Sequence, residues 1–323
     1  MNWLITGGYG FIGRNLIKKI IEFDPDYSIR IFDNLSVGKI EDVENYCNLS
    51  VDYNTNWENN KVSIYIGDII EENPIIDATK GADVVVHLAA NTGVEPSVKF
   101  PRIDCLTNVI GTLNTLEASR ESNVKRFIFA SSGAPAGITE PPIHEEIVPH
   151  PISPYGASKL AGEGYCSAYY HSYNLETVAL RFGNVYGPGS THKSSVVAKF
   201  IKLALDKKPL EIYGDGKQTR DFIFIEDLCD AIIKAATSNK KVGGEVFQIA
   251  TSREMTVGDI TEIIVSQLKK LNINPQIIFG ERRNGDMLRN YSDTSKAKKH
   301  LDWQSTTDIN EGVSRTIGFF TQQ

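Results

Sequence analysis

The sequence predicts a doubly wound α/β fold, and two patterns carry that expectation. Short apolar runs recur with helical stretches between them, at Trp3–Thr6, Ser28–Asp33, Val62–Ile66, Val84–Leu88, Arg126–Ala130, Thr177–Arg181 and Val246–Ala250. Nearly continuous apolar strands alternating with helices mean a parallel sheet covered on both faces, here of seven strands. The second pattern is a glycine series, Gly7, Gly10 and Gly13, placed directly after the first run. A chain of 323 residues buries a substantial core, in one large unit or two intimate ones.

Composition narrows the function classes. The formal charge is −6, and no basic stretch rises above Lys296–His300, which reads as a solvated helix face. A nucleic-acid or membrane-surface role is therefore not expected. Cys47, Cys105, Cys166 and Cys229 are far apart, so neither a zinc site nor a disulfide framework is indicated. His144, His150, His171, His192 and His300 lack ligand-like spacing, and no metal site is expected. A strand starting at residue 3 leaves no room for a signal peptide and no apolar run is long enough for a bilayer, so a cytoplasmic location is expected.

In chain order, Trp3, Leu4 and Ile5 form a buried strand, and Phe11, Ile12, Leu16, Ile17, Ile20 and Ile21 recur at helical spacing after the glycines. Strand, glycine turn and helix make a Rossmann-type pyrophosphate site: glycine lets the backbone approach phosphate, and the helix start offers free N–H groups. The plain alternative is a glycine-rich loop that binds nothing. Asp33 ends the second run, twenty residues past Gly13. A carboxylate there accepts bonds from ribose hydroxyls and repels a 2′-phosphate, which indicates NAD over NADP, the alternative being an ordinary turn aspartate. Arg30 is weak counter-evidence.

Residues 40–60 are polar and Asn-rich and read as a surface excursion. At the third strand end, Asp68 is placed to bond the adenine amino group. The fourth ends in Leu88, Ala89 and Ala90, small enough for a cofactor to lie close, the fifth in Ser131-Ser132-Gly133, the sixth in Gly183-Asn184. His87 reads as a hydrogen-bonded structural residue. Pro154 starts a helical pattern in which Tyr155 and Lys159 stand four apart on one face. An ammonium beside a phenol favours the phenolate, giving a tyrosine able to take a hydroxyl proton near neutral pH, with Ser132 bonding the same substrate oxygen. An exposed pair without a role is the alternative.

The chain closely resembles the extended short-chain dehydrogenase/reductase family, specifically its nucleotide-sugar epimerases and dehydratases. The resemblance runs through residues 6–13, Asp33–Leu35, Gly67-Asp68, His87–Ala90, Asn108–Thr112, Ser131-Ser132, Tyr155 and Lys159, Leu180–Gly187, Gly214–Ile223 and Arg283–Asp286. It implies tightly held NAD, a nucleoside-diphosphate sugar, a 4-keto intermediate and a homodimer through helices around 104–121 and 155–172. It divides the chain into an NAD-binding part, 1–184 plus 223–252, and a smaller C-terminal α/β substrate-binding part, 185–222 plus 253–323. Carried over residue by residue, Gly7, Gly10, Phe11, Ile12, Gly13, Asn34, Ile69 and Asn108 join Asp33, Asp68, Leu88, Ala89, Ala90, Tyr155 and Lys159 around the cofactor. Asn184, Arg220 and Arg283 match positions that hold the diphosphate, as the planar fork of arginine suits. Tyr213 matches a base-lining position, and Val197 and Asp286 join the substrate-binding residues. Asn290 replaces a tyrosine that in glucose-type 4-epimerases limits the C2 substituent, which implies a 2-acetamido sugar.

Two readings of the reaction follow. Gly133 and Ala134 stand where hexose 4,6-dehydratases place acidic residues, which favours a 4-epimerase. Against it, Glu95, in the loop after the fourth strand, is a candidate acid/base for eliminating water across C5 and C6, the alternative being a solvated loop residue. Residues 131–137, SSGAPAG, also look like a subgroup containing nucleotide-GlcNAc 4,6-dehydratases of legionaminic-type acid pathways. The first expectation is therefore a 4,6-dehydratase acting on GDP- or UDP-GlcNAc, the second a UDP-hexose or UDP-N-acetylhexosamine 4-epimerase. A non-catalytic NAD-binding scaffold is the third.

Overall fold

The computed structural model describes residues 1–24, 26–44, 47, 49–51, 57–58, 61–282 and 288–322. Its strands in chain order are β1 (Asn2–Thr6), β2 (Ser28–Asp33), β3 (Leu49–Val51), β4 (Lys61–Ile66), β5 (Val84–His87), β6 (Arg126–Ser132) and β7 (Thr177–Phe182). The later strands are β8 (Asn184–Tyr186), β9 (Leu210–Tyr213), β10 (Thr219–Arg220), β11 (Phe222–Phe224), β12 (Glu245–Ile249), β13 (Met255–Thr256) and β14 (Ile277–Gly280).

Eight of them form one parallel sheet in the order β12-β7-β6-β5-β1-β2-β4-β3. From β1 the chain works outward through β2 and β4, then returns to place β5 on the other side of β1. The crevice at that reversal is where an open parallel sheet binds ligand. All seven expected strands are present, with ends shifted by a residue or two. An eighth, β3, lies inside the stretch expected to be a surface excursion, with Leu49 beside Val62. Three residues at a sheet edge need only backbone pairing, so no apolar periodicity announces them.

Alternation along the strands sends side chains to two cores. Trp3, Ile5, Ile29, Ile31 and Val86 pack on one face, and Leu4, Phe32, Val85, Phe127 and Phe129 on the other. Helices Phe11–Phe23 and Ile225–Thr237 cover the first face, Gly111–Glu121 and Pro154–Tyr173 the second. Burying side chains on both faces is what a parallel sheet demands, each large one being worth about 1.5–3 kcal/mol. Three two-stranded sheets, β8 with β11, β10 with β13 and β9 with β14, build the region beyond the carboxyl end of β7. Among the described residues, no helix is long and apolar enough to cross a membrane.

Candidate active site

A cleft of about 830 Å3 opens along the carboxyl ends of β1, β2, β4, β5, β6 and β7. Its first wall is the glycine turn. Gly7 has φ +69°, and a Cβ there would sit 2.7 Å from the Ala89 nitrogen, so only glycine fits. A Cβ on Gly13 would meet the Gly7 carbonyl at 2.6 Å. Gly10 caps helix Phe11–Phe23 without a side chain, leaving first-turn N–H groups to a ligand. Gly7, Gly10, Phe11, Ile12, Gly13, Leu88, Ala89 and Ala90 all line the cleft, as expected.

Asp33, Asn34, Asp68 and Ile69 line it too. Asp33 accepts from the Tyr9 and Leu35 amides at 2.9 and 2.8 Å, and burial pushes its carboxyl up while those bonds pull it down. Asn34 donates to Asp68 at 2.9 Å, fixing the third strand end against the second. Arg30 turns away: its guanidinium is buried, donates to the Ala78 carbonyl at 2.8 Å and stacks on Trp57. It is therefore not placed to meet a 2′-phosphate. Asn108 lies behind the cleft wall. It is buried in a π-helical turn, Leu106–Ile110, where its amide donates to Asn91, Asp104 and Ser158 and accepts from the Asn91 amide. It holds Asn91 at the cleft wall without lining the cleft.

Helix Pro154–Tyr173 starts where the proline signalled, with the Ser153 hydroxyl accepting from the Gly156 amide at 3.1 Å. Tyr155, Lys159 and Ser132 meet in the same cleft. The phenol is hydrogen-bonded with Ser132. The Lys159 ammonium is buried, lies 5.9 Å from the Tyr155 ring centroid and donates to the Ala130 carbonyl at 2.8 Å. Burial lowers it to about 8. The Tyr155 phenol, expected to be poised near neutrality, is instead pushed above its ordinary value by burial, with Ser132 opposing and the Asp104 carboxylate adding to the rise. Desolvation of the phenolate outweighs the neighbouring ammonium here.

Behind this trio lies a pair that the sequence did not single out. Arg181 on β7 donates to both oxygens of Glu163 at 2.8 and 2.7 Å, and Ser131 donates to the same carboxylate at 2.5 Å, all buried. Glu163 stands one helical turn beyond Lys159, and Ser131 precedes Ser132, so the pair ties the two catalytic elements together. The helical spacing from Lys159 was the available signal. His87 is structural as expected: buried between Thr6 and Thr112 hydroxyls at 2.8 and 3.1 Å, its ring is held to about 3 by burial.

A second cavity of about 230 Å3 adjoins the cleft, and Asn184, Val185 and Ser195 line both. Val197, Tyr213 and Arg220 line the second one, where Lys199 stands 5.1 Å from the Tyr213 ring centroid. Arg283 and Asp286 lie outside the described residues. Asn290 is half-buried beside Thr219, whose hydroxyl accepts from its amide at 3.2 Å, and it lines neither cavity. Glu95 lines neither cavity. It is exposed on the first turn of helix Val94–Lys99, and Asn91 and Thr92 form the cleft wall in its place.

Across residues 3–250 the sequence matches the NAD dependent epimerase/dehydratase family. The chain belongs to that family. It is 34% identical over 324 residues to a putative UDP-glucose 4-epimerase of Methanocaldococcus jannaschii, covering 98% of this chain and 97% of the relative. The fold is similar to a UDP-N-acetylglucosamine 4-epimerase from Methanobrevibacter ruminantium (TM-score 0.87, 32% identity, covering 100% of this chain and 98% of that one). It is also similar to a UDP-glucuronic acid 4-epimerase from Bacillus cereus solved with UDP-glucuronic acid and NAD (TM-score 0.86, 29% identity, covering 100% and 99%). NAD is the cofactor of this family member, and the glycine turn with Asp33 fits it. Relatives named as 4-epimerases match over nearly their whole length, a trifunctional UDP-glucose 4,6-dehydratase of Arabidopsis thaliana is 31% identical over 99% of this chain and 47% of its own, and the legionaminic-type dehydratase subgroup suggested by residues 131–137 is not specifically supported.

Proposed function

We propose that this enzyme is an NAD-dependent UDP-sugar 4-epimerase. The carrying observation is what the cleft lacks beside its trio. Among the described residues, the carboxylates lining it are Asp33 and Asp68, both at the ends of β2 and β4 and away from Ser132 and Tyr155. Water elimination across C5 and C6 needs a base for the C5 proton and an acid for the departing hydroxyl. Glu95 is exposed, and Gly133 and Ala134 offer neither group. The dehydratase reading, placed first from the sequence, is less well supported than the epimerase, since the 4,6-dehydratase relatives match over 47% of their own length.

For 4-epimerisation the trio suffices. The Tyr155 phenolate accepts the C4 hydroxyl proton and Ser132, which already opposes the rise of the phenol, hydrogen-bonds the same oxygen. Bound NAD supplies hydride acceptance and return at C4. Asn184 and Arg220, at and beside the junction of the cavities, are the diphosphate contacts, and Tyr213 and Val197 hold the base. The same trio weighs against a scaffold, which has no use for a buried ammonium beside a phenol.

An N-acetylhexosamine is the proposed preferred sugar. The short Asn290 side chain supports it, as does the likeness to a UDP-N-acetylglucosamine 4-epimerase. We also propose a homodimer through the helices around 104–121 and 155–172, supported by a row of exposed apolar groups: Val98, Phe100, Ile103, Leu106, Ile110 and Tyr165. Incubation with UDP-glucose and UDP-N-acetylglucosamine, followed by mass spectrometry and NMR, tests the reaction. Product of unchanged mass with inverted C4 supports it, and product lighter by one water refutes it. Glu95→Gln should turn over at the parent rate.

A further inference from the structure

Lys193 has no assignment in any reading above. It lies in the loop between β8 and helix Val196–Leu205 and lines the cleft beside His192 and Ser195. The loop is fixed on every side. Lys202 donates to the Thr191 and Lys193 carbonyls, both at 2.9 Å, and the Lys193 amide donates to Ser190 at 2.9 Å. Arg14 and Asn15 bind the Gly189 and Pro188 carbonyls at 2.8 and 3.1 Å. Its ammonium is thus presented from a rigid frame.

No described carboxylate forms an ion pair with it, and burial alone depresses it. It is close enough to Lys159 to depress that group as well. Of the cleft's carboxylates, Asp68 is committed to Asn34 and the Ile70 amide, and Asp33 to two amides at the end of β2. A desolvated cation facing other cations is costly unless an anion arrives to meet it. The glycine turn and free helix start already serve the cofactor pyrophosphate. The anion that remains belongs to the substrate.

We propose that Lys193 is a substrate-binding residue whose ammonium meets an oxyanion of the nucleotide sugar, either the sugar-proximal phosphate or a carboxylate at C6. This rests on the nucleotide-sugar reading and deepens it. Ser195, two residues on, lines both cavities, which puts Lys193 beside the passage from nucleotide to hexose. A charged partner there raises affinity for bound ligand without taking part in proton transfer at C4.

The test uses Lys193→Met and Lys193→Arg, purified with NAD content measured and titrated by calorimetry with UDP, UDP-glucose and UDP-glucuronate, alongside steady-state kinetics. The expected result for Lys193→Met is affinity and KM worsened about ten- to a hundredfold, with kcat changed far less and Lys193→Arg recovering most of the loss. Weakening of all three ligands assigns the phosphate, and weakening of UDP-glucuronate alone assigns the carboxylate. Parent-like affinities in Lys193→Met, or a loss accounted for by missing NAD, overturn the proposal. Should Lys193→Met not fold, Lys193→Gln against Lys193→Arg gives the same comparison. If the parent enzyme itself binds none of the three, the nucleotide-sugar reading has failed, which is a distinct result.

Discussion

Lys159 donates to the carbonyl oxygen of Ala130 at 2.8 Å, joining the second turn of helix Pro154–Tyr173 to the end of β6. Two residues along that strand is Ser132, and four back along that helix is Tyr155. The bond therefore sets the distance between the elements that carry the reacting groups. Burial of that ammonium, which the nearby Asp104 and Glu163 carboxylates only partly oppose, lowers the group to about 8.

The stability of the cofactor-free chain should register that cost. The folded value of about 8 is below the ordinary 10.5. Between these values the unfolded chain binds the proton that the folded chain has lost. Stability from this group therefore rises as pH climbs from about 8 to 10.5, and the full cost is present below about 8. Lys159→Met should melt no lower than the parent at pH 7 while losing activity. Melting both proteins across that window checks it, with the parent gaining on the variant as pH rises.

Tyr155→Phe removes the phenolic oxygen and little else. Turnover should fall by about 10²- to 10⁴-fold, the usual worth of a positioned acid/base group. NAD content and melting temperature should stay at parent values. Because burial raises the phenol, parent kcat should increase with pH through the alkaline range. A pH-independent kcat in the parent would remove the phenolate from the mechanism.

Much of this was legible in the chain itself. Seven strands announced themselves because a parallel sheet buried on both faces forces apolar runs, and the site residues at their ends followed from where such sheets bind ligand. The signal failed where structure rests on backbone pairing or on distant partners. Edge strand β3 carries no apolar rhythm. Asn108 was placed at the cofactor because its motif is there, yet its amide is spent on Asn91, Asp104 and Ser158, a contact set that no spacing reveals. Glu95 was placed near the sugar from loop order and the family's pattern in that loop, neither of which reveals that it starts a short helix, Val94–Lys99, on which it is exposed. The raised phenol of Tyr155 depends on burial, which the Tyr-x-x-x-Lys spacing does not encode.

On the proposed reading, Asp33 at the end of β2 sets dinucleotide choice. Asp33→Asn should weaken NAD retention about tenfold by loss of charge-assisted bonds to ribose hydroxyls. The same change removes the repulsion of a 2′-phosphate, so NADP binding should improve relative to NAD. Dinucleotide content after purification and fluorescence titration with each cofactor measure both effects. A melting curve separates them from loosening of the Tyr9 and Leu35 amides that the carboxylate also holds.

The Arg181–Glu163 pair is the structural counterpart of the trio in front of it. Both side chains are almost wholly buried, at 3% and 4% exposure, with two guanidinium bonds on one carboxylate. Glu163→Gln leaves the guanidinium in the core without a counter-charge, and the loss should be about 3–5 kcal/mol of folding stability. Arg181→Met strands the carboxylate instead and should cost a similar amount. Glu163→Leu with Arg181→Met removes both charges together, so its stability should return close to the parent. Activity should not return with it. Ser131 loses its acceptor in the double variant, and the strand end carrying Ser132 loses its tie to the helix carrying Lys159. Denaturant unfolding and kcat on the same four proteins separate the two roles: recovery of stability together with kcat would make the pair purely structural, and recovery of stability alone makes it the part that holds Ser132 against Tyr155.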